Sequence, residues 1–195
     1  MGSVTDDIAQ AAARLVVDDG LEYGAAKRKA ARDLSRRQGR RSELPSNEAI
    51  EDEVREYLSL FQADTQPAEL LALRQLALRW MERLQAFRPH LTGAAWRGTA
   101  TRRSAVQIEL YCDDPKAAEI ELLDQRIDFE PVGQPDGADL LRVDARCAEL
   151  GETIALFLHV LDRDDLRGGL KPDARGRTWR GDLPALQRLL QADAA

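Results

Sequence analysis

The chain has 195 residues, of which 44% are hydrophobic and 32% are charged, and its formal net charge is −6. This balance is typical of a folded globular protein and argues against an intrinsically disordered chain. No apolar run approaches the roughly 20 residues that a membrane-spanning helix needs, which argues against a membrane partner.

The start of the chain and its cysteines favour a cytoplasmic protein. The first residues lack the basic and then apolar pattern of a signal peptide. Cys112 and Cys147 stand far apart, without the spacing of a metal or redox motif. We therefore expect two reduced thiols.

The first 90 residues have the periodicity of helices. Four helices are predicted, over residues 6–18, over 22–38, from about 46 onward, and over 67–87. Ser46 or Asn47 can cap the third helix, and Pro67 suits the first turn of the fourth. The fourth helix carries apolar residues at every third or fourth position, which predicts one buried face.

Positive charge is concentrated around the second helix. Residues 24–41 carry eight Lys and Arg side chains against one Asp, a net charge of +7, so the rest of the chain carries −13 (−6 minus +7). The candidate nucleic-acid-binding residues of this segment are Lys27, Arg28, Lys29, Arg32 and Arg36. They predict contact with phosphates by counterion release, and the alternative is a solvated helix that neutralises an acidic body.

From residue 90 onward the pattern changes to strands. Residues 106–112 alternate apolar and polar side chains, which predicts a half-buried strand, and residues 152–161 form the most apolar strand. Asp113 or Asp114 can cap the helix between them. Further strands are predicted over 91–96, 127–132 and 140–144, and a last helix begins after Asp182. The fold class is therefore α+β, with a helical N-terminal half, residues 1–66, packed on a small mixed β-sheet half, residues 67–195.

Residues 97–115, RGTATRRSAVQIELYCDDP, combine a Gly-Thr turn, a polar loop, a strand and an acidic turn. This layout resembles the DNA polymerase β-like nucleotidyltransferase superfamily, and also a group of bacterial nucleotidyltransferase-like proteins of about this length. The segments that match that group are AAKRKAARDL, LPSNEAIEDEV, FRPHLTGAAWRGTATRRS, YCDDP and RGDLPALQRLL. Such proteins sometimes carry a UDP-N-acetylmuramate–alanine ligase label, but this short sequence lacks the GxxxxGK[ST] loop for ATP.

The resemblance implies a phosphate-binding turn followed by a metal site. In the superfamily the strand after the turn carries Asp-x-Asp or Asp-x-Glu, and a later neighbouring strand adds a third carboxylate. These carboxylates hold divalent metal such as Mg²⁺ for in-line nucleotidyl transfer. The residues that match the turn, or lie beside it and are candidates to bind phosphate, are Arg97, Gly98, Thr99, Arg102 and Arg103.

The strand departs from the superfamily pattern at the metal ligands. One register places Ala105 and Gln107 on the two carboxylate positions, and a shift by two residues places Gln107 and Glu109 there. On the strand expected to give the third carboxylate, His159 is the one polar candidate and Glu152 lies at the edge. We therefore predict no metal site and no cofactor, and Glu109 is the single candidate catalytic carboxylate.

Three functions remain open. The first is a catalytically degenerate nucleotidyltransferase-like protein that binds a nucleotide or RNA or regulates another protein. The second is an active nucleotidyltransferase in which Glu109 holds Mg²⁺ together with Glu152 or Asp113. The third is an adaptor that binds a protein partner through the helical half.

Trp179 is the unusual aromatic residue of the chain, because it stands in a polar loop between Arg177 and Arg180. Stacking on a base or a partner is one interpretation. Packing back onto the sheet as a lid is the other.

Overall fold

A computed structural model of the chain describes residues 4–38, 43–133, 139–167, 172–173 and 176–193. The chain divides into two compact units, one of residues 1–69 with 99–104 and the other of residues 70–98 with 105–195. Residues 99–104, assigned to the sheet half from the sequence, thus belong to the helical unit. No helix in the described ranges is long and apolar enough to cross a membrane.

The first unit is built from amphipathic helices. They are α1 (Val4–Asp19), α2 (Tyr23–Gln38), α3 (Asn47–Phe61) and the beginning of α4 (Gln66–Arg83). Small side chains such as Ala12 and Ala26 allow close packing, and larger ones such as Ile8, Ile50 and Val54 fill the core. Ser46 caps α3 as predicted, since its hydroxyl accepts a hydrogen bond from the amide of Ala49.

Residues 99–104 are joined to the first unit by hydrogen bonds. The Thr99 and Tyr23 hydroxyls lie 2.9 Å apart, and the Gln66 amide donates to the Ala100 carbonyl at 3.0 Å. The Arg102 backbone amide donates to the Glu69 carboxylate at 2.9 Å. These contacts hold the loop after the Gly-Thr turn against the start of α4.

The second unit is built around a six-stranded sheet in the order β3-β4-β5-β2-β1-β6. The strands are β1 (His90–Thr92), β2 (Val106–Cys112), β3 (Glu130–Val132), β4 (Asp139–Cys147), β5 (Glu152–Asp162) and β6 (Arg180–Asp182). Only β2 and β5 run parallel among these described pairs. The other helices of this unit are α5 (Gly93–Arg97), α6 (Pro115–Asp124) and α7 (Leu183–Asp193). The α+β class predicted from the sequence is confirmed.

The two faces of the sheet differ in polarity, because side chains alternate along each strand. Ile108, Leu110, Leu156 and Leu158 are fully buried on one face. The opposite face carries the polar residues of the two parallel strands and of β1 and β6. Gln107, Glu109 and His159 therefore lie on this polar face, whereas Glu152, seven residues before His159 on β5, alternates onto the other face.

Helix caps in the second unit agree with the sequence. Asp114 caps α6 and accepts a hydrogen bond from the Lys116 amide at 2.9 Å. Asp182 precedes α7 and accepts from the Ala185 amide at 2.9 Å. Each Asp replaces an intrahelical acceptor that the first turn of its helix lacks.

Three predicted elements were wrong in extent. The strand predicted over 91–96 stops at Thr92, because Gly93 has a left-handed φ of 66° and begins α5. The fourth helix stops at Arg83, and a 3₁₀ turn covers residues 85–87. The strand predicted over 127–132 begins at Glu130, because the Ile127 amide bonds to the Leu122 carbonyl at the end of α6.

Candidate functional site

Parallel pairing of β2 with β5 brings the polar candidates of both strands together. Glu109 is the register partner of His159, and Gln107 lies one step earlier on the same face of β2. The His159 Nε2 atom lies 2.7 Å from the Gln107 side-chain oxygen. An amide oxygen only accepts hydrogen bonds, so Nε2 carries the proton in this contact.

Glu109 is held by two side chains of the same face. Arg180 Nη1 lies 2.7 Å from Glu109 Oε2, and the Tyr111 hydroxyl donates to the same oxygen at 2.6 Å. Arg180 Nη1 also donates to the Tyr111 hydroxyl at 2.5 Å. Only 13% of the Glu109 side chain and 23% of the Arg180 side chain are exposed, so water weakens the ion pair only in part. We call these three residues the Glu109 network.

The positions of β1 and β6 explain how Arg180 reaches Glu109. Thr92 of β1 is the register partner of Arg180 on one side and of Gln107 on the other. The long arginine side chain therefore crosses β1 to reach β2. β6 lies close beneath the Trp96 ring, because a Cβ atom at Gly181 would lie 2.0 Å from that ring.

Tyr111 is the buried member of the network. It is 0% exposed, and burial together with the neighbouring Glu109 carboxylate raises the pKa of its hydroxyl well above the usual range. The phenol is therefore a hydrogen-bond donor to Glu109 at every physiological pH. Its ring also packs edge-on against the His90 ring, with centroids 5.3 Å apart.

His90 lies beside the Glu109 network and has a fixed tautomer. Its Nδ1 atom lies 2.8 Å from the Arg88 carbonyl oxygen, which only accepts, so Nδ1 carries a proton. His90 and Arg88 also line a cavity of about 480 Å³ at the start of α7, together with Asp182 and Pro184. No motif in the sequence indicates this cavity, because its walls come from distant segments.

These residues do not fit a divalent metal. Mg²⁺ prefers oxygen ligands, and its binding weakens greatly when carboxylates are replaced by uncharged groups. The candidate positions hold one amide, one imidazole and one carboxylate that already binds Arg180. Throughout the described residues, no group of three or more His, Cys, Asp or Glu side chains is arranged to hold a metal ion.

The alternative ligands for an active enzyme lie away from Glu109. Glu152 begins β5, seven residues before His159, which is about 23 Å along a strand. Asp113 is followed by the cap of α6 and pairs with Arg163 at 2.9 Å. Glu152 is therefore too far from Glu109 to share Mg²⁺ with it, and the hypothesis that Asp113 does so stays a prediction.

The predicted phosphate-binding turn is already engaged by the protein itself. Gly98 ends α5 with a left-handed φ of 81°, and Thr99 is buried with its hydroxyl against Tyr23. Arg97 is 6% exposed, and its guanidinium bonds to Asp173 at 3.2 Å and to the Thr178 carbonyl at 3.0 Å. Arg97 is thus a structural residue in the described fold rather than a free phosphate ligand.

Other members of the predicted phosphate set differ from Arg97. Arg102 and Arg103 are exposed in the first unit.

Trp179 packs its ring under the Arg97 guanidinium, with 4.1 Å between the guanidinium carbon and the ring centroid. The contact places the Trp179 ring against Arg97 of α5, and the two interpretations of Trp179 offered from the sequence stay predictions.

The predicted nucleic-acid-binding residues divide into two groups. Lys27 donates to Asn47 at 3.0 Å, and Lys29 pairs with Asp19 at 3.1 Å. Arg28, Arg32 and Arg36 are exposed along one side of α2. The further basic residues Arg40 and Arg41 lie outside the described residues.

The helical unit also exposes apolar side chains at the end of α3. Leu60 is 67% exposed and Phe61 is 68% exposed. The adaptor hypothesis stays a prediction, because nothing else in the described residues indicates a protein partner.

Sequence reasoning missed Arg180 and Tyr111 as partners of Glu109. The sequence indicates Arg180 only as a neighbour of Trp179, and no motif singles out Tyr111. The only signal available was the alternation of β2, which places Tyr111 on the same face as Glu109.

Comparison with solved structures finds two crystal structures of the Cid1 poly(U) polymerase, one with MgGTP bound and one of a mutant bound to MgATP. In each case the identity is 10% and the TM-score is 0.37, over 47% of this chain and 32% of the polymerase chain. The matched region thus spans about a third of the polymerase. No family model matches the sequence, and no curated protein matches it. A TM-score of this size assigns neither a family nor an activity to the chain.

Proposed function

We propose that this protein is a nucleotidyltransferase-like module without metal-dependent transfer, and that it acts by binding a nucleotide or RNA. The observation that carries the proposal is the contact of Glu109 with Arg180 at 2.7 Å. The one carboxylate at the candidate metal positions already has a positive charge as its partner.

Charge explains why the contact opposes catalysis. A divalent ion that bound Glu109 would approach to about 2.0–2.1 Å and would displace the guanidinium or share an oxygen with it. Arg180 and the ion would then repel each other across a half-buried site. Gln107 and His159 add no negative charge to offset that repulsion, so two-metal transfer lacks its ligands.

The same arginine supports binding of an anion. The Arg180 Nε atom is buried and has no hydrogen-bond partner in the part of the chain that the structure describes. Nε itself has almost no accessible surface, so a phosphate would meet the exposed part of the guanidinium, since 23% of the Arg180 side chain is exposed. We therefore expect Arg180 to be the group that meets a nucleotide phosphate, without Mg²⁺.

The proposal is tested by thermal shift of the full chain with each of the four NTPs, with and without Mg²⁺. A ligand that binds the native state raises the unfolding midpoint by mass action. We expect a rise that does not depend on Mg²⁺ and is lost in Arg180→Met. The control is Arg79→Met, which removes an arginine that pairs with Glu149 on another part of the second unit.

Two outcomes would contradict the proposal. A rise that requires Mg²⁺, with nucleotide incorporation that Glu109→Gln abolishes, would establish an active transferase. The absence of any shift at millimolar NTP in the native protein would remove the nucleotide role.

A further inference from the structure

The basic side chains of α2 are not equivalent in the folded protein. Lys27 and Lys29 are engaged by Asn47 and Asp19. Arg28, Arg32 and Arg36 are exposed, and none of them has an ion-pair or side-chain hydrogen-bond partner within residues 4–38, 43–133 and the other described ranges. We call these three arginines the α2 arginine stripe.

The stripe has a fixed geometry, because α2 is packed on its other side. Ala26 is 0% exposed and Ala30 is 2% exposed, and both belong to the core of the first unit. Side chains four residues apart lie on one face and rise about 6 Å along the axis, so the stripe covers about 12 Å. Three guanidinium groups are thus presented in a row on a supported helix.

An unpaired arginine row suits phosphates in particular. The planar guanidinium binds phosphate with two parallel hydrogen bonds, and it loses little hydration in doing so. The residues outside 24–41 carry a net charge of −13 (−6 minus +7), so the row is a local basic region rather than part of a uniformly basic surface. Asp33 is the one acidic residue of α2.

The surroundings of the stripe favour nucleic acid over an acidic protein. Protein interfaces need a buried apolar centre. The exposed large hydrophobic residues of the described chain are Leu44, Leu60, Phe61, Ile120 and Leu123, none of them on α2. A polyphosphate backbone needs no apolar centre, because release of counterions drives its binding.

The stripe also lacks the means to read bases. Tyr23 is the single aromatic residue of α2, and its hydroxyl is bonded to Thr99. Binding of bases by a single strand normally uses aromatic side chains as stacking platforms. The contact should therefore depend on phosphates alone.

We propose that Arg28, Arg32 and Arg36 form a docking surface for the phosphate backbone of RNA, without preference for sequence. This site is separate from the Glu109 network and does not depend on the proposed nucleotide binding there. Its failure would leave the Arg180 test unaffected.

The experiment is fluorescence anisotropy of the full chain with a 5′-labelled single-stranded RNA of about 20 nucleotides between 50 and 200 mM salt. The variant is Arg28→Gln/Arg32→Gln/Arg36→Gln, in which Gln keeps a high helix propensity. The control, Arg126→Gln/Arg146→Gln/Arg188→Gln, removes the same charge from exposed positions of the second unit. Circular dichroism confirms that each variant is folded.

Each neutralised phosphate contributes about 0.7 to the slope of log affinity against log salt for a single strand. The slope for the stripe variant should therefore be smaller in magnitude than that for the native protein by about 2, and the slope for the control should be smaller by less than about 0.7. A fourfold rise in salt should then weaken the native protein about 18-fold more than the stripe variant. An oligo(U) and a mixed sequence should give the same result.

Three results would overturn the proposal. The first is no RNA binding by the native protein at 50 mM salt. The second is an equal loss of slope in the stripe and control variants, which would make the effect one of net charge. The third is binding of poly-glutamate as tightly as RNA at equal charge, which would indicate an acidic protein as the partner.

Discussion

The guanidinium of Arg180 lies 2.7 Å from the carboxylate of Glu109, with β1 between their two strands. An arginine thus supplies the positive charge at the position where the resemblance implied a metal ion. Water screens the attraction of this pair less than that of two surface charges, since both side chains are largely buried. It therefore has consequences for stability as well as for ligand binding.

A double-mutant cycle should measure that contact. We expect Arg180→Met and Glu109→Gln each to lower the free energy of unfolding, because each leaves a half-buried partner without its hydrogen bond. The double variant should recover part of the loss, with a coupling energy of about 1–3 kcal/mol from urea unfolding. A coupling energy near zero would show that the two groups do not interact in solution.

We expect that a metal site can be built at the same positions by substitution. We expect Gln107→Asp/His159→Asp/Arg180→Ala to bind Mn²⁺, because three carboxylates then face one another and the competing guanidinium is gone. Isothermal titration calorimetry should detect binding by this variant and none by the native protein. The same variant with Glu109→Gln added is the matched control and should bind more weakly. Mn²⁺ binding by the native protein at similar affinity would refute the role given to Arg180.

The buried pair of Arg97 and Asp173 should be a major determinant of the second unit's stability. Their side chains are 2% and 6% exposed. Asp173→Asn leaves the arginine charge buried without a counter-ion, which costs about 3–5 kcal/mol. Asp144→Asn breaks an exposed pair with Arg142 and should cost at most about 1 kcal/mol. Equal midpoints of urea unfolding for the two variants would contradict this assignment.

Local features of the chain were predictable from the sequence. The caps Ser46, Asp114 and Asp182 depend on residues within one turn of their helices, and alternation along β2 depends on neighbours. The α+β class follows from the change in period near residue 90. That Glu109 is the one carboxylate of β2 was also readable, since it needed only the residue types along one strand.

Long-range partners were not predictable. Tyr111 and Arg180 are 69 residues apart, and Arg97 and Asp173 are 76 apart. Only the strand order β2-β1-β6 brings the first two together, and nothing in the sequence specifies that order. Arg97 beside a Gly-Thr turn therefore resembled a phosphate ligand until its burial was known.

A side chain at Gly20 should destabilise the protein more than one at Gly151, because Gly20 lies against the backbone of Arg103. Gly20 has a φ of +69°, and a Cβ there would lie 2.1 Å from the Arg103 carbonyl oxygen. Gly151 has a φ of +68° with nothing described within 4 Å. Gly151→Ala should cost only the backbone strain, about 1–2 kcal/mol, and Gly20→Ala about 1–3 kcal/mol more because the backbone must shift. Urea unfolding followed by far-UV circular dichroism distinguishes them, and equal costs would mean that Arg103 does not approach Gly20.

The pair of Arg79 and Glu149 should make the free energy of unfolding depend on pH in acidic solution. Two hydrogen bonds join them, at 2.6 and 3.0 Å, and the bond from Arg79 is the main cause that lowers the Glu149 pKa to about 2. A carboxylate with a depressed pKa stabilises the fold above its unfolded value near 4.5, and the stabilisation is lost as pH falls towards 2.

Arg79→Gln should therefore lower stability above about pH 5 and have progressively less effect below it. The difference at neutral pH should not exceed about 1 kcal/mol, because 46% of the Arg79 side chain is exposed and water screens the pair. The measurement is urea unfolding of both proteins from pH 7 to pH 2.5, over which the difference between the two curves should shrink steadily below about pH 5. A difference that stays constant over that range would show that Arg79 stabilises the protein by packing rather than through the Glu149 charge.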